Sequence, residues 1–267
     1  MMTSPWIAAL FALFVWWFST GAILWVVKSA DRHGPHAHFL SSIFGLPFLL
    51  AGCYGVWQTL DSDGVAAVYC AFLSALAIWG WVELAFLSGV VTGPNPVPCP
   101  PGTAGIERFL RAWGTVAFHE VLLVVCLAAL VIASHDAVNT FALWTFAVLY
   151  TARISAKLNL FLGVPKINVE FLPGPLSHLP SHFRRRSQSW IFPVSITLLS
   201  FATACWLERI HSADSPGAEV GFALLAALTA LALLEHWLMV LALPDEKLWR
   251  WMIPAPRPED KKLTPGE

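Results

Sequence analysis

The sequence predicts an all-α integral membrane protein, a bundle of about seven transmembrane helices with the N-terminus outside and the C-terminus in the cytoplasm. Three observations carry this. The chain is 57% hydrophobic and only 12% charged, where soluble domains carry about 25% charged residues. Seven apolar runs are long enough to cross a bilayer, which takes roughly 20 residues for about 30 Å of hydrocarbon. Of the 16 Lys and Arg, all but Arg209 fall on one side of the alternating loops, and the excess marks the cytoplasmic side.

The runs lie near 5–27, 39–60, 65–91, 113–134, 138–160, 190–207 and 218–243. Lipid offers a backbone no hydrogen-bond partner, so each run is read as a helix. The first lacks a basic n-region, is too long for an h-region and is followed by Lys28, so it is expected as a retained helix and not a signal peptide. The loop after it carries HGPHAH. Its His33, His36 and His38 are expected as solvated histidines, since Gly-Pro leaves no defined ligand geometry. The third run contains Glu83 in WGWVELAF, and PNPVPCPP around Cys99 follows as a stiff connector. The fourth contains His119 and Glu120 in VAFHEVLL.

The fifth run acquires Arg153, Lys157 and Asn159 at helical spacing before Gly163 and Pro165 break it. The cytoplasmic loop that follows, at about 161–189, ends in FRRRSQSW. Arg184, Arg185 and Arg186 there read as a topology anchor and anionic-lipid contact. The seventh run opens on Gly217 and Gly221, a G-x-x-x-G close-packing pattern, and carries Glu235 and His236 in LLEHWLMV. Residues 1–243 thus form a single transmembrane domain, and 244–267 a cytoplasmic tail expected to be partly disordered. No fixed-period repeat occurs. Cys53, Cys70, Cys126 and Cys205 fall inside runs and read as reduced packing residues, with no disulfide framework or zinc pattern. Trp6, Trp25, Trp57, Trp113, Trp190, Trp206, Trp249 and Trp251 sit near run ends, where amphipathic rings belong.

Ionisable groups inside a membrane are costly and point to function. At the helical rise, Glu83 lies about 12 Å from the cytoplasmic end of its helix, His119 and Glu120 about 9–11 Å and His236 about 11 Å. Glu83, His119, Glu120, Glu235 and His236 therefore share one layer, which Arg153 and Lys157 approach from the fifth helix on a common face. Several uses remain open. Glu83, Glu120 or Glu235 can pair with Arg153 or Lys157 and hold the bundle together. His119 or His236 can offer neutral imidazole to a metallated tetrapyrrole. The layer can carry protons or a solute. A carboxylate-bridged metal enzyme is the least favoured, because neither H-x-x-x-H nor H-x-x-H-H occurs inside a run.

The loop can be read as a sequence in its own right. Lys157, Leu158, Asn159, Phe161, Leu162, Gly163 and Val164 are followed by Asn168, Glu170, Phe171, Leu172 and Pro173. Phe183 to Arg186 and then Phe192, Pro193 and Ser195 complete the pattern. This region resembles the signature of the PuhE family, photosynthetic complex assembly proteins of purple phototrophic bacteria, and the likeness extends over essentially the whole chain. One departure is local: Ser187, Gln188 and Ser189 stand where the family has a Met-Asn pair. The resemblance implies a non-enzymatic multi-pass factor of the bacterial inner membrane, cytoplasmic or intracytoplasmic, with a periplasmic N-terminus. It implies a role in assembling the reaction centre and its light-harvesting antenna, linked to bacteriochlorophyll supply. Its expected partners are membrane lipid and photosynthetic complex subunits or other assembly factors, with no nucleic acid. No catalytic residues are implied.

Physically, the prolines of VEFLPGPLSHLPSHF rule out a long helix. The segment is expected to lie over the polar layer as a lid, between Lys166 and the triple arginine. The lid and the layer together are expected to form a binding surface for a client helix or a pigment such as bacteriochlorophyll or another tetrapyrrole.

Overall fold

A computed structural model describes residues 3–241 and 243. Among the described residues there are eight α-helices: α1 (Pro5–Ala30), α2 (Pro35–Thr59), α3 (Val65–Leu87), α4 (Gly105–Gly114), α5 (Ala117–Ala133), α6 (Phe141–Leu162), α7 (Ile191–His211) and α8 (Pro216–Leu238). Two short 3-10 turns, Gly174–Leu176 and Leu179–His182, interrupt the long loop between α6 and α7. There is no β-strand among the described residues. A single parallel bridge joins Val164 and Arg185.

Local chemistry sets the starts. Pro5, Pro35 and Pro216 occupy first-turn positions, where a missing N–H costs nothing. Ser215 caps α8 by accepting from the Ala218 N–H at 3.2 Å. Five helices, α1, α2, α3, α7 and α8, are each long and apolar enough to cross a membrane, and a sixth candidate exists if α4 and α5 count as one bent span. α6 has 22 residues but carries Arg153 and Lys157 in its second half, and it falls outside that set.

Two elements differ from the sequence reading. The third helix ends at Leu87, not near 91, because the Val90 and Val91 N–H groups fold back onto the Ala85 carbonyl. The fourth run is not one straight span: α4 meets α5 at 68°. Glu107, Arg108 and Arg111 make one side of α4 strongly polar, so it cannot continue into hydrocarbon as α5 does. The break is stabilised by the passing 92–95 segment. Asn95 donates through Nδ2 to the Arg111 carbonyl at 2.9 Å and through its N–H to the Gly114 carbonyl at 3.0 Å, and the Thr92 carbonyl accepts the His119 N–H at 3.0 Å.

The core has two apolar layers. Ala8, Ala12, Val68, Phe72, Val220, Leu224 and Leu228 join α1, α3 and α8. Val56, Ala75, Val82, Leu123, Leu130 and Phe146 join α2, α3, α5 and α6. Since lipid tails are as apolar as leucine, close packing and polar contacts have to hold such helices together. Gly217 and Gly221 provide that closeness. A Cβ would sit 1.7 Å from the Asp63 carbonyl oxygen at Gly217 and 2.2 Å from the Phe141 ring at Gly221. Trp6, Trp25, Trp57, Trp113 and Trp190 face outward near helix ends; Trp249 and Trp251 lie outside the described residues. Cys53, Cys70 and Cys205 are exposed, so they are not the packing residues expected, and of the four cysteines inside the runs Cys126 alone is half-buried.

The ends of the helices gather at two poles. At one, Asn139 donates through Nδ2 to the Ser62 carbonyl and through its N–H to the Leu60 carbonyl, both at 3.0 Å. At the other, the 163–189 loop meets the ends of α1, α3, α6 and α8 together with α4.

Candidate functional site

The polar residues converge on α6. Successive positions of a helix are about 100° apart, so Arg153 and Lys157 share one face while Ser155 and Asn159 share the opposite one. Each reaches a different helix. Arg153 Nη2 donates to Glu83 Oε2 of α3 at 2.8 Å. Lys157 Nζ donates to Glu120 Oε1 of α5. Ser155 Oγ and His236 Nε2 of α8 share a hydrogen bond at 2.8 Å. Asn159 Nδ2 donates to Ser195 Oγ of α7 at 2.9 Å.

The first face forms a compact charged cluster around Phe86. The His119 ring lies 4.4 Å from the Phe86 centroid, with Lys157 Nζ at 5.5 Å and the Arg153 guanidinium carbon at 5.8 Å. His119 is completely enclosed, and its Nε2 stands 3.8 Å from Glu83 Oε1. The expected single layer therefore divides in two. Glu83, His119, Glu120, Arg153 and Lys157 form one cluster, while His236 joins Ser155 on the far side of α6. Glu235 makes no ion pair with Arg153 or Lys157 and is exposed, so it is not part of the buried cluster.

The loop is built as a lid from backbone contacts. Gly163 ends α6 with φ +132°, a conformation other residues adopt only under strain, and a Cβ there would lie 2.4 Å from Arg186 Cγ. Val164 pairs with the arginine run: its N–H donates to the Arg184 carbonyl and its carbonyl accepts from the Arg186 N–H, both at 3.2 Å. The triple arginine is thus also the closing strap of the loop, beyond its expected role as a lipid anchor. Leu176 and Leu179 bury against Phe86, with Leu172 and Phe183 packed beside them. Arg108 of α4 donates through Nη2 to the His182 carbonyl at 2.6 Å and through Nη1 to the Phe161 carbonyl at 3.1 Å, and its guanidinium lies 4.2 Å over the Phe161 ring. From α1, Lys28 Nζ donates to the Leu172 carbonyl at 2.7 Å, and Asp31 Oδ1 accepts from the Gly174 N–H at 2.8 Å. The same Asp31 oxygen lies 3.1 Å from His38 Nε2. His38 is therefore buried in α2 and is not a solvated loop histidine, while His33 and His36 remain exposed. Of the other loop residues, Pro173 is buried, Phe171 half-buried, and Pro165, Asn168 and Glu170 exposed.

Beneath the lid lies a cavity of about 840 Å³, walled by α1, α3, α4, α5, α6, α8 and the loop. Its lining is mainly apolar, with Trp16, Phe86, Phe109, Trp113 and Tyr150 among the aromatic side chains, and its volume falls in the ordinary range of ligand sites. Phe109, Trp113, Val121, Val124 and Val125 both line it and rank among the exposed apolar side chains, so it communicates with the bundle's outer apolar face. Glu120, Arg153, Lys157, Asn168, His182 and Glu235 supply its polar groups together with Lys166. Burial lowers the pKa of His178 and His182 in the lid, which keeps both imidazoles neutral at pH 7.

The two histidines expected as tetrapyrrole ligands do not line this cavity. His236 has both ring nitrogens engaged, Nδ1 with the Ala232 carbonyl at 2.7 Å and Nε2 with Ser155. His119 is sealed behind Phe86. The Lewis-basic groups that do line it are Glu235, Glu120 and His182. Sequence reasoning missed Ser155, Phe86, Arg108 and the Lys28–Asp31 pair as contributors, and it named Ser195 only within the loop signature, not as the partner of Asn159. An arginine in the first turn of a short polar helix and a serine inside an apolar run carry no distinguishing local signal.

Together these features describe a helical membrane protein in which one polar helix cross-links four others beneath a tethered lid, with an apolar cavity between. The chain belongs to the DUF3623 family, described as "Protein of unknown function (DUF3623)", which matches residues 2–260. It is 55% identical over 254 residues to a protein of Rhodobacter capsulatus named "Uncharacterized 30.4 kDa protein in puhA 5'region", a match that covers 95% of this chain and 93% of the relative. No solved structure matches the chain.

Proposed function

We propose that this protein is a non-enzymatic assembly factor for the photosynthetic reaction centre and its light-harvesting antenna. It sits in the bacterial inner membrane, cytoplasmic or intracytoplasmic, with seven spans, a periplasmic N-terminus and a cytoplasmic C-terminus. In this reading α6 is the span that its own polar residues disguise, and α4 with α5 is a bent one. The lidded cavity carries the proposal, because it gives the long loop and the intramembrane charges a common purpose: holding a client helix or a pigment while complexes form. The PuhE-like loop motif supports it. So does the relative's name, which ties that protein to the puhA 5' region.

A second reading, a tetrapyrrole carrier or small-solute or proton transporter, is favoured by the carboxylate of Glu235 standing in the cavity without an ion-pair partner. The test is deletion of the gene in a pigmented phototrophic host, with reaction-centre and antenna absorption measured per cell. Loss of both, restored by the wild-type chain and not by Gly163→Ala, supports the assembly role. Unchanged complexes in the deletion strain would overturn it.

A further inference from the structure

The lid contributes to the cavity wall a histidine whose protonation pattern is set by its neighbours. Ser181 Oγ–H donates to the His178 carbonyl at 2.7 Å, so its only proton is spent. The same oxygen accepts from the Cys99 N–H at 2.9 Å, and His182 Nδ1 lies 3.2 Å from it. That last contact is a hydrogen bond only if the imidazole supplies the proton. His182 therefore carries its hydrogen on Nδ1 and a lone pair on Nε2. Nε2 is buried without a partner, and the residue, 2% exposed, lines the cavity. Arg108 donates to the His182 carbonyl at 2.6 Å, so the residue is held from its backbone as well as from Nδ1. Glu120 Oε2, a second buried acceptor, and Arg153 Nε, a buried donor, also lack partners, and both residues line the same cavity.

Charge in the wall is balanced. Arg153, Lys157 and Lys166 line the cavity with Glu120 and Glu235, and Glu83 pairs with Arg153 at 2.8 Å. Three cations against three carboxylates select neither an anion nor a cation. The rest of the wall is mainly apolar, and Phe109, Trp113 and Val121 carry it out to the bundle's outer apolar face. A hydroxyl is a neutral group that both donates and accepts, which matches a wall holding unpartnered acceptors and an unpartnered donor. We infer that the cavity takes a neutral, largely apolar alcohol from the bilayer, entering beside α4 and α5, with its hydroxyl donating to His182 Nε2. A buried acceptor left unpaired is costly, so the alcohol is preferred over an ether of the same body. This rests on the reading above that the lidded cavity is a holding site, and it names the class of molecule held. No bond is made or broken in the ligand.

The test uses the full chain in lipid nanodiscs, titrated with all-trans-retinol, an isoprenoid alcohol, and with its O-methyl ether. Energy transfer from tryptophan follows binding, since Trp16 and Trp113 line the cavity, and empty nanodiscs correct for partition into lipid. The expected result is saturation at one retinol per chain, with the ether bound at least about tenfold more weakly. His182→Phe, which keeps a ring without an acceptor, is expected to remove that preference. His182→Gln, whose amide oxygen can accept, is expected to retain part of it. Equal affinity for the two probes in the wild type, an unchanged preference in His182→Phe, or uptake no greater than in empty nanodiscs would each overturn the inference. The comparison of probes in the wild type stands even if His182→Phe fails to fold. The assembly role is read separately, from complex accumulation in cells. A chain without the preference whose deletion still depletes the complexes removes this inference alone.

Discussion

Arg153 and Glu83, 70 residues apart in sequence, meet at 2.8 Å between α6 and α3. The carboxylate side chain is only 11% exposed, so removing the cation leaves a negative charge with nowhere to be solvated. Breaking a buried pair from one side is far more costly than replacing both partners. Arg153→Met is therefore expected to destabilise the bundle by about 3 kcal/mol. Adding Glu83→Gln to it should recover more than half of the loss. Unfolding in mixed detergent, carried through the full double-mutant cycle, measures both; equal stability of the single and double variants would contradict the pairing.

Arg108 ties the lid to α4 through two carbonyls at once, with its guanidinium over the Phe161 ring. Lysine cannot reproduce a planar fork that donates in two directions and stacks on a ring. Arg108→Lys should therefore release the 174–183 turns almost as fully as Arg108→Ala, while the transmembrane helices stay folded. Limited proteolysis and amide exchange across the loop report this. Protection of the loop in the lysine variant equal to that in the wild type would show that charge alone holds it.

Gly163 gives a sharper case. With φ at +132° and Arg186 packed where a side chain would start, alanine meets both backbone strain and a clash. The strain alone is worth about 1–3 kcal/mol. Gly163→Ala should lower thermal stability, whereas Gly174→Ala, whose backbone lies outside the left-handed region, should be tolerated better.

How much of this could be read in the sequence depended on how strongly each residue violates its surroundings. Glu83, His119, Glu120, Arg153 and Lys157 stood out because charge inside an apolar run has few explanations. Two of the four helices cross-linked by α6, α3 and α5, follow from these residues, and His236 marks a third, α8. Ser155 did not stand out, and Ser195 did so only within the loop signature, since serine inside a helix most often bonds its own backbone, as Ser195 also does with the Ile191 carbonyl. The 68° break before α5 was hidden because Thr115–Val116 contains no proline, and the segment that satisfies it, 92–95, lies outside the run. Glu235 was placed with its neighbours by depth alone. Which way a helix turns a side chain depends on packing between helices, and a single span's pattern, apolar all round, does not encode that.

The lid should also be pH-sensitive. His178 and His182 lie outside the spans, and burial lowers both pKa values below the ordinary 6.5. A histidine that binds its proton more weakly when folded contributes stability that is fully present above 6.5. That stability is lost as the pH falls from there through the folded-state value. Amide exchange of 174–183 is therefore expected to accelerate on acidification below 6.5, and His182→Gln should flatten the dependence. A lid equally protected at mildly alkaline pH and two units lower would rule out these histidines as the cause.

The orientation can be checked at both poles. Ser62 and Asp214 lie in the connections at one pole, and Ser177 lies in the lid at the other, all three exposed. In a chain with its five native cysteines replaced by serine, Ser62→Cys and Asp214→Cys should react with a membrane-impermeant maleimide added to intact spheroplasts. Ser177→Cys should react only after the membrane is opened. Seven spans require this pattern, because α6 must then cross between the Asn139 pole and the lid. If α6 were only a re-entrant element, Ser62 and Ser177 would label from the same side. That single outcome would dismantle both the span count and the cytoplasmic placement of the lid, and with them the idea that a client approaches the cavity from the cytoplasmic half of the bilayer.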